Sequence, residues 1–139
     1  MRLLIPALLL IGLVASAAPP LPEVKLPLQA REAPLDEVQK LIAEHPDTGI
    51  LDVRTAEEVA ELGRLPGARH LDFFNEHFAV ELPKLGLDPA KPCVVYCALG
   101  GRAKRAAAVL AEAGFKNILL PVGGFNAWKK AGKPVEAGK

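Results

Sequence analysis

An α/β domain built on a parallel sheet with helices on both faces is what this chain predicts, and three observations carry that prediction. Short, almost wholly apolar runs occur at Ile50-Leu51-Asp52-Val53, Cys93-Val94-Val95-Tyr96-Cys97 and Ile118-Leu119-Leu120, as expected for strands buried on both faces. Segments with apolar residues at helical spacing separate these runs. Strands that alternate with helices pack as a parallel sheet between two helical layers.

The chain opens with Met1-Arg2 and an apolar run from Leu3 to Val14, broken only by Pro6 and Gly12, and then Ala15-Ser16-Ala17-Ala18. A membrane-spanning helix needs ~20 apolar residues, and this run is shorter. Ala15-Ser16-Ala17 fits the small-x-small cleavage pattern, so residues 1–17 are read as a secretory signal peptide. The mature chain is then expected to begin near Ala18 and to be exported, in a bacterium to the periplasm. No cysteine lies near the cleavage site to take a lipid; an uncleaved anchor is the alternative, since proline and glycine do not forbid insertion.

Residues 18–33 form a proline-rich leader, with Pro19, Pro20, Pro22 and Pro27 ahead of Pro34. A short strand near residues 24–28 is a candidate addition to the sheet. Residues 34–137 hold the domain. Leu35, Val38, Leu41 and Ile42 recur at helical spacing and stop before His45-Pro46. After the strand at 50–53, Thr55 and Glu58 form a capping box that starts a short helix to about Leu62. Residues 63–68 read as a turn and 69–71 as a minimal strand. Phe73, Phe74, Phe78 and Leu82 mark an apolar-faced segment, and residues 85–92 a loop. Ala103, Ala106, Ala107, Val109, Leu110 and Ala113 line one face of a helix that Gly114 ends. The strand at 118–120 leads through Pro121-Val122-Gly123-Gly124 into a last short helix, 125–131, that carries Trp128.

Of the 139 residues about 120 follow the signal segment, enough for one hydrophobic core and not two. Seventeen basic residues balance sixteen acidic ones, and no dense block of one sign occurs. That pattern excludes a phosphate-backbone or anionic-lipid surface, so neither nucleic acid nor membrane is an expected partner of the mature chain.

The chemistry centres on Cys97, which opens the stretch Ala98-Leu99-Gly100-Gly101-Arg102 between a strand and a helix. Small residues let the turn curl with several backbone N–H groups aimed inward, and with the helix dipole such a nest favours an anion. Cys97 is therefore expected as an exposed, nucleophilic thiolate near neutral pH; the alternative is a small buried hydrophobe. Cys93 starts the same strand. Four residues of extended chain span ~13 Å, whereas bridged cysteines need Cα atoms within ~7 Å, so the two thiols cannot pair. Cys93 reads as a small buried residue. A free nucleophilic thiol in an oxidising compartment points to sulfur or redox chemistry. In open α/β sheets ligands bind beyond the carboxyl ends of the strands, where Cys97 and the residues after Val53 fall.

Four ordered pieces then resemble one family, the single-domain rhodaneses, which are sulfurtransferases. They are Ile50-Leu51-Asp52-Val53-Arg54 with an acidic short helix, Gly63-Arg64-Leu65-Pro66-Gly67-Ala68, the Val94-Val95-Tyr96-Cys97 strand with its C-x-x-G-x-R loop, and Leu120-Pro121-Val122-Gly123-Gly124-Phe125-Asn126-Ala127-Trp128. The resemblance covers about residues 35–134. It implies that Cys97 takes the outer sulfur of a donor such as thiosulfate as a persulfide and passes it to cyanide or a thiol. No metal or organic cofactor is implied. Small-molecule donors and acceptors are the expected partners, with a thiol-bearing protein as a further one.

Within that reading, the N–H groups from Ala98, Leu99, Gly100, Gly101 and Arg102 hold the anionic donor and the persulfide, as an oxyanion hole holds developing charge. Arg102 adds a permanent cation, or else faces solvent or pairs with Asp52. Arg105, one turn on, faces either the mouth of the cleft or water. Asp52 and Arg54 are expected to brace the loop by hydrogen bonds and a charge pair, since buried charges persist when paired. Trp128 and the glycine pair before it are read as packing and turn geometry. His45, His70 and His77 show neither metal-ligand spacing nor a pairing with Cys97. Two departures from the family pattern occur: Arg64 stands where histidine is frequent, and Ala103 where serine or threonine is frequent. The missing hydroxyl removes one hydrogen bond near the loop, worth ~1 kcal/mol, and bears on donor preference.

A cysteine phosphatase or arsenate reductase is the rival enzyme class. Those families resemble C-x5-R, whereas four residues separate Cys97 from Arg102 here, a tighter ring that suits a sulfane sulfur over a tetrahedral phosphate. A noncatalytic persulfide carrier or partner-binding module is the other alternative.

Overall fold

Four consecutive buried residues, Cys93–Tyr96, form the central strand β4 of a five-stranded parallel sheet. The structure is a computed structural model that describes Gly12, residues 18–20 and residues 22–138. Apart from Gly12, the segment 1–17 read as a signal peptide lies outside the described residues. No helix among the described residues is long and apolar enough to cross a membrane.

In chain order the elements are β1 (Ala30–Ala33), α1 (Leu35–Glu44), β2 (Gly49–Asp52), α2 (Ala56–Leu62), β3 (Arg69–His70), α3 (Phe78–Glu81) with a 3₁₀ turn (Leu82–Leu85), β4, α4 (Gly101–Glu112), β5 (Ile118–Pro121) and α5 (Gly124–Lys130). The sheet order is β1-β5-β4-β2-β3, and every pairing is parallel. Side chains of β4 alternate between two cores, as the two-residue period of a strand requires. Cys93 and Val95 join Ala103, Ala106, Ala107, Leu110 and Phe78 on the α3 and α4 face. Val94 and Tyr96 join Val38, Phe125 and Trp128 on the α1 and α5 face. The α/β class with helices on both faces is thus what the chain forms.

The edge strand lies at Ala30–Ala33, not near residues 24–28. Pro27 offers no N–H to a ladder, and its carbonyl instead accepts from Ala30 N–H at 3.0 Å, a turn that delays pairing. Leu26 packs on the α4-side core as the leader passes. Thr55 and Glu58 make both reciprocal bonds of the capping box, and α2 begins where that signal places it. In the Phe73–Leu82 segment Phe73 packs edge-on to Phe78, with centroids 5.3 Å apart, while Phe74 turns out to solvent. Helix α4 ends at Glu112, so Ala113 caps the helix and is exposed, not part of its buried face.

Candidate active site

The sheet delivers Cys97 at the carboxyl end of β4, and α4 starts four residues later at Gly101. Between them the chain curls back so that the Gly100 N–H donates to Cys97 Sγ at 3.0 Å. Gly100 makes this possible with φ +135°, a region that other residues rarely enter. The first intrahelical bond of α4 runs from Lys104 N–H to the Gly100 carbonyl at 3.0 Å. The N–H groups of Gly101, Arg102 and Ala103 belong to the first turn and have no acceptor within the helix, which makes this end of α4 suited to anions.

Cys97 is only 2% exposed, which corrects the expectation of an exposed thiol. Leu99, at the loop's apex, is 72% exposed. Ala98 and Gly100 are half-buried and Gly101 is exposed. Cys97 to Arg102 thus link β4 to α4, and among the described residues the Gly100 N–H is the loop amide that bonds the sulfur.

The N-terminus of α5, where the glycine pair reads in the sequence as packing and turn geometry, holds this loop. The first N–H groups of α5 donate outward to the loop: Phe125 N–H to the Cys97 carbonyl at 2.8 Å and Asn126 N–H to the Ala98 carbonyl at 3.1 Å. Gly124 sits at φ +64°, and a Cβ there would lie 2.6 Å from both carbonyl oxygens. The glycine pair thus lets one helix N-terminus grip the loop that leads to another.

Asp52 and Arg54 form a fully buried pair, Arg54 Nη2 to Asp52 Oδ2 at 2.7 Å. Asp52 also accepts from the Arg54 backbone N–H at 3.0 Å and from the Tyr96 hydroxyl at 2.7 Å. Tyr96 oxygen accepts in turn from Leu65 N–H at 3.1 Å, and Arg54 donates to the Gly63 carbonyl at 2.6 Å. Among the described residues none of the pair's hydrogen bonds reaches residues 98–102, so the expected direct brace of the loop is absent. The support is one residue removed: through Tyr96, which precedes Cys97, and through Phe125, whose ring lies 3.9 Å below the Arg54 guanidinium carbon and whose N–H holds the loop. Desolvation works against the Arg54 charge, but its bonds to Asp52 outweigh it and raise its pKa. Burial and the adjacent Asp52 likewise push the Tyr96 phenol up, so it stays a donor.

Arg102 pairs with neither solvent nor Asp52. Its two terminal nitrogens meet the two oxygens of Glu58 on α2 at 2.7 and 3.0 Å, and its guanidinium carbon lies 5.8 Å from the centroid of Phe74. These hydrogen bonds raise the Arg102 pKa against desolvation, with the Cys97 sulfur adding to the effect. Reciprocally, Glu58 is drawn below its ordinary carboxylate value, first by Arg102. Sequence reasoning placed Glu58 only in its capping box; the convergence of the α2 and α4 N-termini at neighbouring strand ends is what brings it to the site. Phe74, 66% exposed, stands beside the loop. Arg105 is exposed.

Both cysteines are free and buried, in agreement with the strand geometry that forbids their pairing. Burial pushes the Cys93 thiol up to about 12. Arg64 pairs with Glu136 at 3.4 Å, tying the C-terminal segment to the 63–68 turn, away from Cys97. Ala103 is buried against the α4-side core. His70 Nε2 donates to the Arg54 carbonyl at 2.6 Å.

A parallel α/β sheet that presents one sulfur, bonded by a loop amide, at a helix N-terminus defines a thiol-centred anion site. The chain belongs to the rhodanese family: the Rhodanese-like domain matches residues 34–131. It is similar to the thiosulfate sulfurtransferase GlpE of Actinobacillus succinogenes, 37% identical over 63% of this chain and 74% of that protein. Its fold is similar to the polysulfide-sulfur transferase homodimer of Wolinella succinogenes, with a TM-score of 0.67, 32% identity and coverage of 78% of this chain and 80% of that one. A Rhodopseudomonas palustris protein described as a possible tyrosine phosphatase also matches, with a TM-score of 0.61, 29% identity and coverage of 74% and 82%.

Proposed function

We propose that this protein is a sulfurtransferase that moves a sulfane sulfur from a donor such as thiosulfate to cyanide or a thiol through a persulfide on Cys97. The observation that carries the reading is the Gly100 N–H aimed at Cys97 Sγ from 3.0 Å, within a loop whose next amides open the first turn of α4. Cys97 attacks the outer sulfur of the donor. The new Sγ–S bond forms as the donor's S–S bond breaks, and the bonding pair leaves with sulfite. The loop's N–H groups then hold the terminal sulfur of the persulfide as they held the donor. An acceptor nucleophile takes that sulfur and returns the Cys97 thiolate. The named activities of the similar proteins support the same class.

The loop's length supports this over the phosphatase reading, since four residues between Cys97 and Arg102 make a shorter loop than C-x5-R. The pairing of Arg102 with Glu58 adds to it, because the fork that would clamp a phosphate is already engaged. Thiocyanate release from thiosulfate and cyanide tests the proposal, with p-nitrophenyl phosphate hydrolysis as the counter-assay. Multiple turnovers mark an enzyme; a single stoichiometric loading without turnover marks a carrier.

We read residues 1–17 as an export signal and the periplasm as the place of action, with small sulfur compounds and a thiol-bearing protein as partners. Expression of the full chain in a bacterium, followed by N-terminal sequencing of the periplasmic fraction, tests this reading. A product starting near Ala18 is expected, and full-length protein confined to the cytoplasm contradicts it.

A further inference from the structure

Glu58 carries two duties at once. Its backbone N–H donates to Thr55 Oγ1 at 3.3 Å, and its Oε1 accepts from the Thr55 hydroxyl at 3.2 Å and from the Thr55 N–H at 3.4 Å. The same carboxylate accepts both Arg102 bonds. Capping thus locks the Glu58 rotamer, and the locked carboxylate locks Arg102. A planar guanidinium fork matches one carboxylate or one sulfonate edge at a time, and here the edge formed by its two terminal nitrogens is occupied.

The consequence is electrostatic. The cation nearest the Cys97 sulfur is cancelled by an anion in contact with it, and Lys104, two residues on, is engaged by Glu32 at 3.2 Å. Arg105 is exposed, and Glu57 and Glu61 stand exposed on α2. At the sulfur itself the Gly100 N–H and the α4 N-terminus, equivalent to roughly half a positive charge, are what hold a donor, while the exposed Arg105 is screened by solvent. That suits one negative charge better than two.

We propose that Glu58 is a positioning and specificity-determining residue: by taking up the charge of Arg102 it biases the site toward donors of single negative charge, such as an alkyl persulfide, over dianionic thiosulfate. This inference rests on the sulfurtransferase reading above. With a persulfide donor the terminal sulfur passes to Cys97 as its S–S bond breaks, and the bonding pair leaves on the alkanethiolate.

The test is the rate of Cys97 persulfide formation, read by rapid quench and intact mass over a range of donor concentrations, with thiosulfate and with 2-hydroxyethyl persulfide. Glu58→Gln preserves the capping box, which accepts glutamine, and removes the charge. It is expected to lower the half-saturating thiosulfate concentration about tenfold, as one unscreened neighbouring charge would at short range, while that for the persulfide changes less than about threefold. Glu58→Asp, which keeps the charge, is expected to retain the wild-type ratio between the two donors. A merely structural role for Glu58 would leave that ratio unmoved in Glu58→Gln, and that result overturns the inference while leaving the sulfurtransferase reading intact. A wild-type chain that is loaded by neither donor sinks both. Should Glu58→Gln fail to fold by circular dichroism, Arg102→Gln decides: it leaves the Glu58 anion uncompensated and is expected to raise the thiosulfate value more than the persulfide value, and equal effects on both overturn the inference.

Discussion

A Cβ on Gly124 would lie 2.6 Å from the carbonyl oxygen of Cys97, so the helix that grips the nucleophile's loop can start only from a residue without one. Two N–H groups of that helix hold the Cys97 and Ala98 carbonyls, and the Gly100 N–H of the same loop donates to the sulfur. The loop is therefore held by α5 from outside, not by its own residues alone.

Gly124→Ala tests this grip. The substitution adds left-handed strain to a backbone clash, and strain of this kind costs about 1–3 kcal/mol. Gly101, in the same loop, has no positive φ, and a Cβ there meets nothing within 4 Å. Gly101→Ala is expected to hold or slightly raise stability, by up to about 1 kcal/mol. Urea denaturation of both variants checks the difference, and equal stabilities would show that α5 does not fix the loop.

Asp52 and Arg54 are expected to behave as a unit. Asp52→Asn keeps the shape but leaves the Arg54 guanidinium buried without its counter-charge, a loss of about 3–5 kcal/mol. The thermal midpoint should fall by more than about 10 °C. The exposed Lys84 and Glu81 pair, 2.9 Å apart, provides the contrast, since removing such a pair changes stability by less than about 1 kcal/mol. Differential scanning calorimetry at neutral pH reads both.

The two thiols are expected to separate by reactivity. Burial holds Cys93 protonated up to about 12 in the folded state, against an ordinary value of 9.0. At pH 8 iodoacetamide should therefore spare Cys93 until the protein is unfolded, and the thiol modified in the folded protein should be Cys97, the nucleophile of the proposed function. Because the folded value is the higher one, the unfolded chain releases this proton first, and stability falls as pH rises from about 9 toward about 12. Cys93→Ala should flatten that alkaline decline without abolishing sulfur transfer. A decline as steep as in the wild type would mean that Cys93 is not the group concerned.

Much of this was legible in the sequence because it depends on local signals. The apolar runs at 50–53, 93–97 and 118–120, the Thr55 capping box and the alanine face of α4 each state their structure within a few residues. Cys97 to Arg102 announce themselves through glycines between a strand and a helix. What escaped depends on pairs far apart in sequence. Glu58 and Arg102 meet only because α2 and α4 begin at adjacent strand ends. The link from Phe125 to Cys97 exists only because β5 lies beside β4. The edge strand at Ala30–Ala33 is hidden because Val24 and Leu26 have the strand-like side chains while Pro22 and Pro27 deny them a ladder. The burial of Cys97 is not legible in the sequence, because it depends on the curl that brings the Gly100 N–H back onto the sulfur.

Intact-protein mass spectrometry shows whether Cys97 carries the transferred sulfur. The chain is measured before saturating thiosulfate, after it, and again after cyanide, alongside Cys97→Ser. A gain of about one sulfur mass is expected in the wild type, with its loss as thiocyanate on adding cyanide, and neither change in Cys97→Ser. A sulfur gain of equal size in Cys97→Ser, or one abolished instead by Cys93→Ser, would contradict that role for Cys97.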